Sequence, residues 1–361
     1  MKCSIMVLNT GSTSTKMAVY QGHSDSDEVN QVVLKEYTHS KEFLKDYPYM
    51  SDQLPMRRKI ADEFVETIAL LYAPFDAIVA RGGILCPINS GGYEINEAMV
   101  NYLLNVSQEE HASNVAACIA YELAKTHSIP HAYIYDGITT DELEPISRIS
   151  GIPDMPRVSV IHALNMRATA MKAAKDLEKN YEQATIIVAH LGGGISLSMH
   201  QNGKIVDVVG DDEGPFSPER CGGQQIIQLI KYLHGKNSIR DQLKVIRGNS
   251  GLSGYFGTND ARDVQKMIDD GNETAKLVYD ALAYQIAKAI ATLSVVTYGK
   301  VDCIVLTGGL ARSKRLTDQV AERTGFIAST RVYPGENEMD SLANGAYRIL
   351  SAKETAQPFL Y

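Results

Sequence analysis

Tryptophan is absent and cysteine is sparse. Cys3, Cys86, Cys118, Cys221 and Cys303 are scattered, and no two stand at CxxC spacing. That excludes the usual structural zinc signatures and a disulfide framework. The expectation is a reducing, cytoplasmic setting, with cysteines in apolar runs acting as small buried hydrophobes. No apolar run approaches the roughly 18 residues of a membrane-spanning helix. The chain enters a strand pattern directly at its start, so no signal peptide is expected. Positive charge is also short. Thirty-five Lys and Arg face 43 Asp and Glu, for a net charge of -8. This argues against nucleic acid or an anionic membrane as partner. The 361 residues, 44% of them hydrophobic, suffice for two domains with sizeable cores.

Glycine, in contrast, is concentrated where it can carry chemistry. Residues Thr185 to Pro218 read as strand, turn, strand, hairpin, strand. Ile186 to Ala189 is an apolar, β-branched run, followed by His190, Leu191 and the triple glycine Gly192, Gly193, Gly194. Ile195 to His200 is the next strand, Asn202-Gly203 a strong hairpin signal, and Lys204 to Val209 the third strand. A glycine turn between strands lets backbone approach a ligand and aim N–H groups at an anion. Taken alone, it is equally a tight turn that only needs positive φ. The N-terminus repeats the pattern. Ser4 to Leu8 is a strand, Asn9 to Ser14 a small polar turn, and Lys16 lies on the strand after it. Two such hairpins half a chain apart point to a duplicated unit, with one nucleotide between two lobes.

Between the hairpins, strand and helix patterns alternate, which indicates an α/β fold. Gly22 to Asn30 reads as a hairpin connection. Leu54 to Tyr72 has helical periodicity, with Ile60, Phe64, Ile68 and Leu71 on one face. Asp76 to Ala80 is a strand ending at Arg81-Gly82-Gly83. Helix is expected from Glu109 to His127, and strand from His131 to Tyr135, ending at Asp136. Ile149 to Pro156 is the best linker, so the domains are expected as 1–156 and 157–338, with the closing segment 339–361 returning to the first. The second lobe should hold helices at Val160–Tyr181 and Glu219–Leu233, and a loop at Gly248–Gly257. Asn259-Asp260 and Asn272 should cap two further helices, the second running to Tyr298. Val301 to Leu306, ending at Thr307-Gly308-Gly309, and Arg331 to Tyr333 are the last strands.

The ordered set of motifs is far more specific than any single one. Asn9-x-Gly11-Ser12-x-Ser14-x-Lys16, Arg81-Gly82-Gly83, His111-x-x-Asn114 and His162 come first. His190-Leu191-Gly192-Gly193-Gly194, Arg220-Cys221-Gly222, Asp260-x-Arg262-Asp263, Thr307-Gly308-Gly309 and Asn337-Glu338 follow. Together they resemble the acetate and butyrate kinase family of the sugar kinase, heat-shock chaperone and actin superfamily. The runs His111-Ala-Ser-Asn, His162-Ala-Leu-Asn and Pro334-Gly-Glu-Asn-Glu are similar to the butyrate branch. Acetate kinases usually have Asn where Gly193 stands, and Phe-His-Gly-Thr where this chain has Ile161-His162-Ala163-Leu164. Both departures count against acetate as the preferred substrate.

The resemblance implies two ribonuclease-H-like lobes with a central nucleotide cleft, ATP/ADP and Mg2+ as cofactors, and a homodimer or higher oligomer. By resemblance, Arg81 and His111 meet the substrate carboxylate, and Arg220 and His162 meet the transferring phosphoryl group. Asp136, at a strand end, matches an orienting aspartate, though a helix or turn cap is almost as good a reading of it. Gly11, Ser12, Ser14, Lys16, His190 and Gly192 to Gly194 would hold the phosphates. Asp260, Arg262, Gly308, Gly309 and Leu310 match the adenosine pocket, and Asn9 and Glu338 the metal side, with Glu336 the alternative to Glu338. Such a reaction fits the residues. A carboxylate nucleophile is already ionised at neutral pH and needs no general base. The difficulty is bringing it to a polyanion, which arginines relieve. A sugar kinase would instead need a base carboxylate. An actin-like or chaperone-like nucleotide switch would need a polymer or peptide surface for which the chain has no spare domain.

Overall fold

The computed structural model describes residues 2–23, 26, 28–47, 49–107, 111–235 and 238–361. Its strands are β1 Lys2–Thr10, β2 Ser14–His23, β3 Asn30–Thr38, β4 Ala77–Arg81, β5 Gly92–Glu94, β6 Ala132–Tyr135, β7 Ile186–Leu191, β8 Ile195–Gln201, β9 Lys204–Val209, β10 Cys303–Gly308, β11 Thr330–Pro334 and β12 Gln357–Pro358. They form a seven-stranded sheet, β12-β5-β6-β4-β1-β2-β3, and a five-stranded sheet, β11-β10-β7-β8-β9.

The duplication is visible in the pairing. β1–β2–β3 is an antiparallel meander, and β4 and β6 extend it in parallel on the β1 side. β7–β8–β9 is likewise an antiparallel meander, extended in parallel by β10 and β11. Both sheets therefore carry the ribonuclease-H-like order. Each belongs to its own compact unit, residues 1–141 with 337–361, and residues 142–336.

The expected linker Ile149–Pro156 lies inside the second unit rather than between the two. Glu142 accepts the Ile205 N–H at 3.0 Å, and the Glu144 N–H donates to the Val206 carbonyl at 3.1 Å, so the chain joins β9 before that stretch begins. Arg157 then straps it down through the Ser147 carbonyl and Asp207.

Strand alternation decides which side chains reach the sites. In the first unit Met6, Leu8, Ile78 and Ala80 enter one core with the helices Leu54–Tyr72 and Ala112–Thr126. Asn9 and Arg81, at the strand ends, have the opposite parity and share the other face. The helix Glu338–Leu350 packs on β1 and β4. In the second unit Ile187, Ala189 and Leu191 face the core of the long helix Glu273–Ser294. Ile186 and Val188 face the helix Ala163–Asp176, and His190 shares their parity. The Asn272–Tyr298 region is thus mainly a core element, with Ala275, Tyr279, Leu282, Ile286 and Ile290 buried.

Several expected elements differ. In Leu54–Tyr72 the buried stripe is Arg57, Ala61, Phe64, Val65 and Ile68, so Leu71 is exposed and Ile60 only half-buried. The helix expected from Val160 to Tyr181 spans only Ala163–Asp176, with His162 at its N-cap. Residues 219–225 are not helical. Gly222 has φ +66, and the helix begins only at Ile226. The loop at Gly248–Gly257 contains a short helix, Gly251–Phe256, and Ile239–Ile246 forms a further helix. Glu109 and part of the Gly22–Asn30 connection lie outside the described residues.

Candidate active site

In the first unit the side chains at the sheet's end converge on Glu338. Its Oε1 pairs with Arg81 Nη1 at 3.0 Å, and its Oε2 accepts from Asn9 Nδ2 at 2.7 Å. The carboxylate sits at the first residue of its helix, where the dipole favours a negative charge. Because Asn9 donates to it, the other end of the amide is fixed as oxygen. Asn9 Oδ1 is buried and has no hydrogen-bond partner among the described residues. His111 caps the Ala112–Thr126 helix, with Nδ1 accepting the Ser113 N–H at 3.2 Å. Burial, then the nearby Arg81 charge, lower its pKa. His111 is therefore a neutral imidazole whose proton is on Nε2, a donor rather than a cation. Asn114 accepts the Ile84 N–H at 2.8 Å, tying this helix to the backbone just after Arg81-Gly82-Gly83.

Asp136 directly follows Tyr135, the β6 residue paired with Arg81 of β4. It is buried, has φ +42, and its Oδ1 accepts the Gly91 N–H at 2.7 Å. Its own N–H donates to the Gly91 carbonyl, so it braces the strand-end loop. Lys16 lies directly opposite Asn9 in the β1–β2 register, on the same face, and pairs with Glu36 at 3.5 Å. Ser12 is exposed at the tip of the turn, where the Gly11 N–H donates to the Ser14 carbonyl.

The second unit assembles a different set. His190 is in the strand rather than the turn. His162 and His190 stack with ring centroids 4.0 Å apart. Ser196, on the polar face of β8, contacts His162 Nδ1 at 2.9 Å. Asn165, one turn into the helix after His162, fixes the other ring. Its Nδ2 donates to the Glu336 carbonyl, so its Oδ1 accepts from His190 Nδ1 at 2.9 Å. Asn165 and Ser196 received no role from the sequence. The His162-Ala-Leu-Asn165 spacing, one helical turn, was the signal for the first.

The triple glycine owes its composition to close approach, not to positive φ, since none of the three adopts it. A Cβ on Gly192 would stand 2.9 Å from His190 Nε2, and one on Gly194 3.0 Å from Asp211 Oδ2. Ser217 Oγ donates to the Gly193 carbonyl at 2.6 Å, as does the Glu219 N–H at 3.1 Å. This brings Arg220 beside the turn. Its Nε donates to Asp211 Oδ2 at 3.2 Å and its Nη1 lies 3.6 Å from Glu219. Gly308, at φ +88, is a second close approach, because a Cβ there would meet the Leu191 carbonyl at 2.5 Å.

Next to these glycines opens a cavity of about 830 Å³, bounded by Gly192, Gly193, Asp260, Arg262, Gly309 and Leu310. Glu336 also borders it, whereas Glu338 belongs to the first-unit cluster. Asp260 caps its helix and takes Arg262 side-on, Nε to Oδ1 at 2.9 Å and Nη2 to Oδ2 at 2.6 Å. That hydrogen bonding holds the Asp260 pKa down to about 2. The pair holds the exposed Arg262 guanidinium at the border of the cavity. No cluster of three or more His, Cys, Asp or Glu side chains suited to a metal occurs among the described residues.

Residues 159–330 match the acetokinase family. Over 362 residues the chain is 42% identical to butyrate kinase 2 of Clostridium acetobutylicum, spanning 99% of this chain and 100% of that protein. The crystal structure of Porphyromonas gingivalis acetate kinase superposes with a TM-score of 0.74 at 19% identity, over 98% of this chain and 100% of that one. A propionate kinase from Francisella tularensis does so with a TM-score of 0.72 at 18% identity, over 95% and 98% of the two chains. Fold and matches define the class, a kinase on the two-domain actin-like ATPase architecture. Within that class, the chain belongs to the acetokinase family.

Proposed function

We propose that this kinase, which phosphorylates a carboxylate with ATP, takes butyrate or a branched short-chain relative and forms the acyl phosphate reversibly. The observation that carries the reading is the state of the acids around Arg81. Glu338 is held by Arg81 and Asn9, and Asp136 by Gly91, so neither is poised as a base for a hydroxyl. A guanidinium heads the cluster instead, which suits a substrate that arrives as an anion.

In this proposal Arg81 takes the carboxylate on the guanidinium edge that Glu338 leaves open. His111 donates its Nε2 proton to the same group and, being neutral, keeps that role as pH rises. Arg220 neutralises the phosphoryl oxygens as charge spreads over them in a loose transition state. His162, stacked on His190, adds a donor, and Gly192 to Gly194 let the phosphate chain reach main-chain N–H groups. The adenosine lies in the cavity beside Gly309 and Leu310, with Arg262 over the base. From the first unit, Gly11, Ser12, Ser14 and Lys16 are the proposal's further phosphate-binding residues.

Magnesium belongs to the proposal too. The unpartnered Asn9 Oδ1 and the adjoining Glu338 carboxylate are oxygen donors of the kind it takes, few and partly through water. It would supply neutralisation of the phosphates when bound. A homo-oligomer in the cytoplasm completes the reading. Ile226, Ile230 and Ile239 are largely exposed apolar side chains in support of a subunit contact. No helix among the described residues is long and apolar enough to cross a membrane.

Hydroxylamine trapping tests the reaction class. Incubation with MgATP should yield butyryl hydroxamate and ADP in step, with no ADP formed on hexoses. Sugar-dependent ADP release without hydroxamate would contradict it.

A further inference from the structure

Arg57 is a cation where none is expected. It lies on the inner face of the Leu54–Tyr72 helix and is 0% exposed. Its Nε and Nη2 donate to Gln53 Oε1 at 3.1 and 2.9 Å. Nη1 donates to the Ser14 carbonyl at 2.7 Å and to Thr15 Oγ1 at 3.0 Å. Nη2 also donates to the carbonyls of Gly11 at 2.9 Å and Ser12 at 3.3 Å. No acidic side chain among the described residues pairs with it. Burial lowers its pKa to about 10, which still leaves it charged at neutral pH.

All these partners but Gln53 belong to one stretch, Gly11 to Thr15, the turn after β1 and the first residues of β2. The one carbonyl Arg57 leaves, that of Thr13, accepts the His39 N–H at 2.8 Å. Thr15 Oγ1, already accepting from Arg57, gives its proton to His39 Nε2 at 3.0 Å, and His39 is kept neutral by burial and by Arg57. Every carbonyl from Gly11 to Ser14 is therefore engaged from within the protein. Ser12 and Thr13 remain exposed on the outer side. Neutral donors would satisfy the same carbonyls, so shape alone does not call for a charge. A buried cation lacking a counter-ion is unfavourable unless an anion meets it from across the turn.

We propose that Arg57 is a positioning residue for phosphoryl transfer, drawing the Gly11–Ser14 carbonyls inward so that the turn offers its outer side and a buried positive charge to the nucleotide's phosphates. The inference rests on the reading of that turn as a phosphate site. It goes beyond it by placing the organising group in a helix outside the motif.

Gln53→Glu in the full chain is the sharpest test. Gln53 is buried, its Oε1 already touches the guanidinium, and its Nε2 makes only a 3.4 Å contact to the Tyr47 carbonyl. The isosteric carboxylate preserves every Arg57 hydrogen bond and cancels the charge. The expected result is a drop of about tenfold in kcat/KM for MgATP, with an unfolding temperature equal to or above the parent's and a carboxylate KM within about twofold. A purely structural Arg57 would leave kcat/KM unchanged in that variant, and this result overturns the proposal. Arg57→Ala gives a second readout should Gln53→Glu not fold. Millimolar methylguanidinium should restore activity about tenfold or more. Recovery of unfolding temperature without activity overturns the proposal as well. Ser12→Ala and Lys16→Ala separate the two readings. If they leave kcat/KM for MgATP untouched, the phosphate-turn reading itself fails and takes the proposal with it. If they lower it while Gln53→Glu does not, only the role of Arg57 fails.

Discussion

Replacing Arg220 by alanine is expected to lower kcat by about a thousandfold or more while the KM for ATP stays within about threefold. Arg220 is held by Asp211 and Glu219 beside the triple-glycine turn, with its side chain 24% exposed. That location puts the fork next to a backbone free of side chains, where a transferring group can approach. In the proposed function the adenosine is held around Asp260, Arg262 and Leu310, which border the cavity, whereas Arg220 does not. Ground-state nucleotide binding should therefore survive the loss. The fold should survive too, because Asp211 keeps Arg247 as a partner at 3.3 Å. Arg220→Lys should recover little, since a point charge does not reproduce a planar fork. Steady-state kinetics with ATP and butyrate decide it. Near-normal turnover in Arg220→Ala would remove this residue from the mechanism.

Arg81→Ala is expected to act on the other substrate. Its loss removes the cation and also strips Glu338 of its ion-pair partner. The bare carboxylate would then repel an incoming carboxylate. The KM for butyrate should rise about a hundredfold, with a fall in kcat as orientation is lost. Pairing the change with Glu338→Gln separates the effects. The double variant should bind butyrate better than Arg81→Ala alone, because the repulsion is gone while the missing cation is not restored. An unchanged butyrate KM in Arg81→Ala would refute its assignment to substrate binding.

Much of the framework was legible because local rules decided it. The Leu54–Tyr72 helix has the expected ends. Asn272 and Asp260 cap their helices as their residue types predict, and Asn202-Gly203 turns the β8–β9 hairpin with both residues at positive φ. Pattern and structure part where tertiary contacts override periodicity. The stripe of Leu54–Tyr72 is rotated because Arg57 turns inward to a turn 43 residues away, a pairing no helical pattern displays. The strong apolar run from Ile226 extends a helical pattern back over residues 219–225. Gly222, whose Cβ would lie 2.5 Å from the Phe216 nitrogen, holds them in a tight loop instead.

The candidate site shows the same division. Motif residues stood out by their order along the chain. Their partners did not. Asp211 is one of three consecutive acids, Ser196 one of two serines in its strand, and Gln53 an ordinary polar residue before a helix. Each acquires its role only when the fold sets it against Arg220, His162 or Arg57. His162 and Ser196 stand 34 residues apart, a separation that leaves no spacing in one sequence, whereas Gln53 and Arg57 are one helical turn apart and lacked only a reason to be singled out.

The central claim, a short-chain carboxylate kinase of the butyrate type, is tested most directly by kcat/KM for acetate, propionate, butyrate, isobutyrate, valerate and hexanoate at saturating MgATP. Charge fixes the carboxylate end, so discrimination must come from the apolar tail. Each buried methylene contributes about 1 kcal/mol until the tail meets the pocket wall and crowding opposes further gain. The account predicts a hump with its maximum at about four or five carbons and acetate clearly poorer. A maximum at acetate would contradict the butyrate assignment.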